Sequence, residues 1–151
     1  MNLNRLSACT YPFRERPWAE ALERIRRAGF TRVDLLGRAP HFSLDSAECN
    51  LDALSDFAHT LGLQIANLGT YVGRGFAGDT PAQEAEWRAL TRTVDIAARW
   101  GARSIRVAPG SDDPACLAEI VPWFREAAAY AGARGVYLGF ETHGGGISGS
   151  I

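Results

Sequence analysis

The sequence lacks lysine altogether, since all sixteen basic residues of the 151-residue chain are arginine. A lysine Schiff base and a lysine general base are therefore excluded within this chain. The 17 acidic residues outnumber the arginines by one, which gives a formal net charge of -1. Because binding to nucleic acid or to an anionic membrane draws on excess positive charge, we expect neither as a partner.

Cysteine is also scarce. Cys9, Cys49 and Cys116 are odd in number and widely spaced, which argues against a disulfide framework and against a Cys-x-x-Cys motif. Residues 1–13 lack the apolar run of a signal peptide, and no stretch reaches the roughly 18 apolar residues of a membrane span. We therefore expect a reduced, cytoplasmic setting.

Short runs of strand-forming residues alternate with amphipathic helical patterns along the chain. Each of the four helical patterns ends in glycine, and a strand-like run follows within a few residues. This repetition predicts parallel strands joined by right-handed crossovers. The glycines are Gly29, Gly62, Gly101 and Gly135, and the strand-like runs cover residues 6–9, 33–36, 63–68, 105–108 and 136–140.

Local signals predict where the helices begin and where one of them is interrupted. Pro17 suits the first position of the first helix, and Asn50 suits the N-cap of the second. Thr80 with Gln83 fits a capping box at the start of the third helix. Pro122 lies inside the fourth helical pattern, where we expect a kink or two short helices.

A repeat of this kind forms either a doubly wound sheet or a barrel, and polar residues inside the strand-like runs distinguish the two. Central strands of a doubly wound sheet are usually apolar on both faces, whereas these runs contain Asp34 and Arg106. A barrel accepts both on its inner face, where they can pair, and it places catalytic groups at strand ends, where Glu141 stands. We therefore predict an α/β fold, a partial (β/α)8 TIM barrel with five parallel strands and outer helices. Because a complete barrel needs about 250 residues, residues 1–151 are expected to form a single N-terminal part, truncated after strand five.

Residues 73–78 match the Gly-x-Gly-x-x-Gly pattern of dinucleotide-binding loops. In those proteins the helix begins within the motif, whereas the helix signal here comes after the last glycine. We therefore predict no nucleotide site and interpret the segment as a flexible lid loop. His143 and the three glycines after it imitate a lipase oxyanion loop, but the chain has no Gly-x-Ser-x-Gly nucleophile motif.

The end of the fifth unit resembles a known family. Residues 135–145, with Glu141 and His143, are similar to the Glu-x-His-Gly segment of xylose-isomerase-like TIM barrels. That family includes sugar phosphate isomerases and epimerases and, more distantly, phosphodiesterases of the endonuclease IV type. Residues 6–13, 28–35 and 101–107 resemble, in that order, its first strand and loop, its junction into strand two, and its fourth strand.

The resemblance implies a divalent metal ion, Mn, Mg, Zn or Co, at the mouth of the barrel. Glu141 matches the family's first metal ligand, the glutamate that ends strand five. The other ligands of the family, an Asp, a His and a Glu, come from strands six to eight. Because a divalent ion needs several ligands fixed in space, we expect the site to be incomplete here. Apart from the resemblance, Glu141 is equally well interpreted as a solvated acid at a strand end.

Two histidines are candidates for catalysis. His143 shares the face of Glu141 if the strand continues, so it would contact substrate or support the metal from behind. An ordinary loop histidine is the alternative interpretation. His41 follows strand two, in a loop that would overhang the barrel mouth, and the family often has a histidine nearby. His59, inside the second helix, is interpreted as a surface or packing residue.

The function implied by the resemblance is that of a metal-dependent sugar or sugar phosphate isomerase or epimerase, which moves a proton next to a metal-polarised carbonyl. The expected substrate is a small sugar or related hydroxy-carbonyl compound, and the chain alone is expected to be inactive. One alternative is a fragment of an endonuclease IV-like metal-dependent phosphodiesterase, which the near-neutral charge disfavours. The other is a non-catalytic half-barrel that forms homo-oligomers or binds a partner through its open sheet edges.

Overall fold

A computed structural model describes residues 6–141. Its five strands lie in one sheet in the order β1-β2-β3-β4-β5, which confirms the predicted α/β fold with parallel strands in chain order. None of the helices in this part of the chain is both long and apolar enough to cross a bilayer. The strands are β1 (Ala8–Cys9), β2 (Arg32–Leu36), β3 (Gln64–Gly69), β4 (Ser104–Val107) and β5 (Tyr137–Phe140), and the helices are α1 (Trp18–Arg27), α2 (Leu51–Thr60), α3 (Thr80–Arg99) and α4 (Leu117–Gly132).

The contacts within the described residues separate into two compact units, each with its own core. The first unit contains β1 to β3 with α1 and α2, up to Gly69, together with Arg99–Ala102. The second unit contains Thr70–Ala98 and the residues from Arg103 onward, and therefore most of α3 and all of β4, α4 and β5.

The core of the first unit is built on one face of β2. Val33 and Leu35 are fully buried, as are Leu22 on α1 and Leu68 on β3. Residues two apart on a strand share a face, so Val33 and Leu35 mark the core side of β2. Asp34 therefore lies on the opposite face, away from this apolar layer.

An aromatic cluster forms much of the core of the second unit. Phe76 is fully buried, and its ring stacks on Trp123 with 5.4 Å between the centroids. Phe76 also meets Phe124 edge-on at 5.2 Å, and Phe124 contacts Phe140 of β5 at 4.9 Å. Because Phe76 belongs to a 3-10 turn at Arg74–Ala77, the cluster ties this turn to α4 and β5.

Two of the predicted helix starts differ from the structure by one residue. Pro17 is the N-cap of α1 rather than its first helical residue. The predicted capping box of Thr80 and Gln83 is wrong, because the Asp79 carboxylate accepts the hydrogen bond from the N–H of Ala82 at 3.0 Å. Aspartate is at least as good an N-cap as threonine, and its negative charge also favours the amino end of a helix. The cap of α3 therefore lies one residue before Thr80.

The other two predictions about helix boundaries have opposite outcomes. Asn50 caps α2 as predicted, since its side-chain oxygen accepts a hydrogen bond from the backbone three residues on, at 3.0 Å. Of the kink or two short helices expected at Pro122, the two short helices are absent, because α4 is one helix from Leu117 to Gly132. Proline removes only one backbone donor, and the buried Ile120 and Ala127 on either side of it anchor the helix.

The repeat of glycines at helix ends is confirmed by the backbone. Gly29, Gly62, Gly101 and Gly135 have φ values of 89°, 65°, 71° and 69°. This left-handed conformation closes a helix and is costly for any residue with a side chain. Each glycine therefore ends its helix and turns the chain toward the next strand.

Candidate functional site

Glu141 and Arg106 meet at the carboxyl ends of neighbouring strands in the second unit. Arg106 is the third residue of β4, and Glu141 directly follows β5. The two strands are parallel with Val107 opposite Phe140, so both side chains reach the same edge. A guanidinium N–H of Arg106 donates to Oε2 of Glu141. The side chain of Arg106 is 22% exposed and that of Glu141 is 45% exposed, so the pair is accessible to a ligand.

Thr70 fixes the position of Arg106. The hydroxyl of Thr70 donates to the backbone carbonyl of Arg106 at 2.6 Å. In return, Nε of Arg106 donates to the backbone carbonyl of Thr70 at 3.1 Å. Two reciprocal hydrogen bonds restrict the side chain more than one can, so the guanidinium is presented to Glu141 in a defined orientation.

The ring of Tyr71 contacts two guanidinium groups. Cζ of Arg106 is 4.5 Å from the centroid of the Tyr71 ring, and Cζ of Arg74 is 4.9 Å from it. Both distances are within the range of cation–π attraction. Thr70, Tyr71, Arg74, Arg106 and Glu141 together form what we call the Arg106 cluster. It offers guanidinium donors to an acceptor oxygen and one carboxylate to a hydroxyl group or a proton.

The glycine-rich segment beside this cluster is anchored by Glu86. The carboxylate of Glu86 accepts hydrogen bonds from the N–H of Gly73 at 2.6 Å and from that of Gly75 at 2.8 Å. Our interpretation of residues 73–78 as a flexible lid loop is therefore wrong. The backbone N–H groups of Gly73 and Gly75 are thus occupied by a carboxylate of the protein itself. Nothing in the local sequence identifies Glu86 as this anchor.

A second set of polar contacts links the loops of the first unit. Thr10, directly after β1, is buried; its hydroxyl accepts a hydrogen bond from the N–H of Leu36 at 2.9 Å. The N–H of Thr10 donates to the carbonyl of Asp34 at 2.9 Å. His41 is fully buried, and its Nε2 lies 2.9 Å from the carbonyl oxygen of Phe13. These contacts tie the segment after β1 to β2 and to the loop that follows it.

The environment of His41 favours the neutral imidazole. A carbonyl only accepts hydrogen bonds, so Nε2 carries the hydrogen toward Phe13. Nδ1 is buried and has no hydrogen-bond partner within residues 6–141. Burial lowers the pKa of His41, and the carbonyls of Phe13 and Arg16 oppose this only in part. His41 holds two loops together here, and its contact with a substrate stays a prediction.

Three further expectations concern the pairing of Asp34 with Arg106, the role of His143 and the position of His59. Asp34 accepts a hydrogen bond from Nδ2 of Asn67 on β3 at 2.7 Å. The predicted pairing of Asp34 with Arg106 joins residues of different units and stays a prediction. His143 lies outside the described residues, so its role as a catalytic residue beside Glu141 stays a prediction as well. His59 is exposed on α2, in agreement with its interpretation as a surface residue.

The described residues do not by themselves fit a divalent metal ion. Among residues 6–141, no three His, Cys, Asp or Glu side chains are grouped closely enough to hold one. Glu141 is the single acid of the Arg106 cluster, and its carboxylate is paired with a guanidinium. A divalent ion requires several oxygen or nitrogen ligands, and an adjacent cation adds repulsion.

A profile of the xylose isomerase-like TIM barrel family matches residues 22–150. The chain belongs to the xylose isomerase-like TIM barrel family. The match covers most of the chain and confirms the resemblance seen at residues 28–35, 101–107 and 135–145. No curated protein matches this chain.

Solved structures of the same fold include several TIM barrels of this family. A protein from Sinorhizobium meliloti 1021 is 22% identical with a TM-score of 0.72, covering 93% of this chain and 51% of that one. A xylose isomerase-like TIM barrel protein from Mycobacterium smegmatis, in complex with magnesium, is 20% identical with a TM-score of 0.67, covering 87% and 48%. A D-allulose 3-epimerase from Methylomonas sp. is 20% identical with a TM-score of 0.64, covering 85% and 46%. The present chain therefore spans about half the length of each.

Proposed function

We propose that this chain supplies the first five strand–helix units of a sugar or sugar phosphate isomerase or epimerase. Membership of the family, together with the fold shared with an allulose 3-epimerase, supports this class of reaction. The observation that carries the proposal is Glu141, a carboxylate directly after β5 that is oriented by Arg106. In parallel barrels the carboxyl ends of the strands carry the catalytic groups.

The Arg106 cluster suits a hydroxy-carbonyl substrate on chemical grounds. Isomerisation and epimerisation of sugars move a proton next to a carbonyl, and negative charge develops on the carbonyl oxygen as the proton leaves. The guanidinium groups of Arg106 and Arg74 can donate hydrogen bonds to such an oxygen. The Tyr71 ring contacts both guanidinium groups and helps to hold these donors in place.

Glu141 is proposed as one oxygen ligand of a divalent ion whose other ligands lie outside residues 6–141. The chain alone is therefore expected to bind such an ion weakly and to turn over sugars at no useful rate. His143 and His41 are retained as proposed catalytic residues, His143 beside the carboxylate and His41 in the loop after β2. For His41 the burial of the ring favours a positioning role within that loop.

Residue-resolved NMR with paramagnetic Mn²⁺ tests the proposal. In the isotope-labelled chain, Mn²⁺ should broaden the amide signals of Gly139, Phe140 and Glu141 more than those of residues remote from the Arg106 cluster. The Glu141→Gln variant should lose this local broadening. Glu119→Gln removes an exposed acid on α4 by the same substitution, so this control should behave like the wild type. Broadening centred elsewhere, or unchanged in Glu141→Gln, would contradict the assignment of Glu141.

Titration with D-allulose or D-fructose tests the substrate class separately. Weak binding should shift the signals of Tyr71 and Arg106, and Arg106→Gln should reduce these shifts. Arg125→Gln, an exposed arginine on α4 outside the cluster, is the matched control. If sugars leave the Arg106 cluster unaffected while sugar phosphates shift it, the substrate class narrows to the phosphates. If neither has an effect, the proposed substrate class is wrong.

Two exposed aromatic side chains on β5 favour one alternative, a half-barrel that acts by association. Tyr137 and Phe140 are 67% and 48% exposed, and β5 is an outer strand of the sheet. Outer strands with exposed apolar side chains promote pairing with other chains. In this alternative, the chain binds another copy or a partner protein, and the Arg106 cluster has no catalytic role.

A further inference from the structure

A cleft of about 550 Å³ opens in the first unit, beside the amino ends of β2 and β3. This volume is within the range of small-molecule sites, roughly 300–1,000 Å³. The cleft lies at the end of β2 opposite to the one followed by the loop of His41, so it is separate from the polar contacts described above for this unit. Its polar lining comes from Thr31, Arg32, Ser55, His59 and Gln64, and Trp100 supplies an aromatic wall.

Arg32 has an unmet need for a hydrogen-bond acceptor. Its Nε is buried and has no partner within residues 6–141. A buried donor that lacks an acceptor destabilises the structure. In the β2–β3 register Arg32 lies opposite Gln64, whose side-chain amide can donate in the same region.

The charge of the lining favours an anion in this cleft. Among residues 6–141, those that line it include an arginine and a histidine but no aspartate or glutamate. The carboxyl end of α2 lies nearby and would attract cations if its carbonyls were free. However, the carbonyls of Phe57, Ala58 and His59 accept hydrogen bonds from the turn after the helix, and that of Leu61 accepts from Nε of Arg26. These hydrogen bonds occupy the carbonyl oxygens that would otherwise repel an anion in the cleft.

We propose that this cleft binds a small-molecule oxyanion, a carboxylate or phosphate group, through Arg32 and Gln64. An oxyanion provides the acceptor that Nε of Arg32 lacks, and it suits the planar guanidinium geometrically. His59 and Ser55 on α2 contribute further hydrogen-bonding groups to the lining. The site does not depend on the Arg106 cluster, which lies in the other unit.

Titrations of the isotope-labelled full chain with inorganic phosphate and with acetate test this inference. Either anion should shift the amide signals of Thr31, Gly62 and Gln64 in a saturable manner, and the tighter of the two identifies the preferred group. Arg32→Gln should weaken binding roughly tenfold to a hundredfold, as expected for loss of a charged hydrogen-bond donor. Gln64→Glu should weaken it similarly by placing a negative charge in the cleft.

Arg27→Gln is the matched control. Arg27 is exposed on α1 outside the cleft, and this substitution lowers the net charge by one, as both test variants do. Unchanged affinity in Arg27→Gln together with weaker binding in the other two supports the site. Equal weakening in all three variants, shifts that centre on Arg74 and Arg106, or no saturable shift with either anion would overturn it. Since Gln64 is exposed, Gln64→Glu keeps the test decisive if Arg32→Gln does not fold.

Discussion

Glu86 on α3 accepts a hydrogen bond from the backbone N–H of Gly73 at 2.6 Å. The same carboxylate accepts a second one from Gly75 at 2.8 Å, so a single side chain satisfies two donors of the glycine-rich turn. Hydrogen bonds to a charged acceptor are stronger than neutral ones. The turn is therefore held in place although it contains three glycines, and Phe76 between them is kept in the aromatic core.

The first prediction concerns this anchor. Glu86→Gln replaces a carboxylate that accepts two hydrogen bonds by an amide with one acceptor oxygen, so it should lower the free energy of unfolding by roughly 1–3 kcal/mol. Chemical denaturation measures the loss, and hydrogen exchange should be faster at the amides of Gly73 and Gly75. Glu84→Gln is the control, because Glu84 makes only an exposed ion pair with Arg88 at 3.8 Å. Unchanged exchange in Glu86→Gln would show that other contacts, among them the packing of Phe76, hold the turn without Glu86.

The second prediction compares two glycines with positive φ. Gly73 and Gly101 have φ values of 110° and 71°, so alanine is strained at both, at a cost of roughly 1–2 kcal/mol. A Cβ at Gly101 would meet nothing within 4 Å, whereas one at Gly73 would lie 2.8 Å from Cζ of Phe124 and closer still to the carbonyl of Ala108. Gly73→Ala should therefore destabilise the protein clearly more than Gly101→Ala in urea denaturation. Equal losses would mean that the turn moves freely away from Phe124.

Local features of the sequence predicted most of the fold. The conformation of a glycine at a helix end and the role of an N-cap are set by residues a few positions away in the sequence. Gly29 and Asn50 therefore have the conformation and the role that their local sequence predicts. The cap of α3 was misplaced by one residue, because Asp79 and Thr80 are both good caps and only the backbone geometry chooses between them.

The candidate site was predictable only in part. The position of Glu141 after β5 follows from the strand pattern. Its partner Arg106 is 35 residues away, and Glu86 is 13 residues from Gly73. Such pairs form when the chain folds, and no periodicity in the sequence indicates them. The burial of His41 could not be predicted for the same reason. It depends on the contact that the loop after β2 makes with the segment after β1, where His41 meets Phe13.

The third prediction uses the lowered pKa of His41. Burial favours its neutral form in the folded state, whereas the unfolded chain titrates near the ordinary value of 6.5. The unfolded state therefore binds more protons below about pH 6.5, and stability should fall as the pH decreases from there toward the lower pKa of the folded state. The loss is at most about 1.4 kcal/mol per pH unit. Denaturation midpoints measured from pH 8 to pH 5 give this dependence.

His41→Gln should make the stability less sensitive to pH over the same range, because the amide can donate to Phe13 but does not titrate. His59→Gln removes an exposed histidine and should keep the pH dependence of the wild type. An unchanged slope in His41→Gln would assign the effect to other groups. A smaller slope in His59→Gln than in His41→Gln would contradict the assigned role of His41 directly.

The last prediction is that the chain associates through β5. Tyr137 is 67% exposed and Phe140 48% exposed on an outer strand of the sheet. Each large apolar side chain left in water forfeits roughly 1.5–3 kcal/mol, against a typical net stability of about 5–15 kcal/mol. Pairing with a second chain would give the outer backbone groups of β5 hydrogen-bond partners and would cover part of the exposed Tyr137 ring. Sedimentation velocity should therefore show oligomers whose share grows with concentration.

Tyr137→Ser should shift this equilibrium toward monomer, because it removes the most exposed aromatic ring from the edge. Tyr11→Ser is the matched control: Tyr11 is 50% exposed but lies in a 3-10 turn rather than on a strand. Hydrogen exchange should show weak protection of the β5 amides at low concentration and stronger protection as oligomers form. A sharp monomer at all concentrations, with strongly protected amides in both β1 and β5, would show that the chain is self-sufficient, since water alone protects no backbone donor. Association through β5 would then be wrong, and so would the half-barrel that acts by binding.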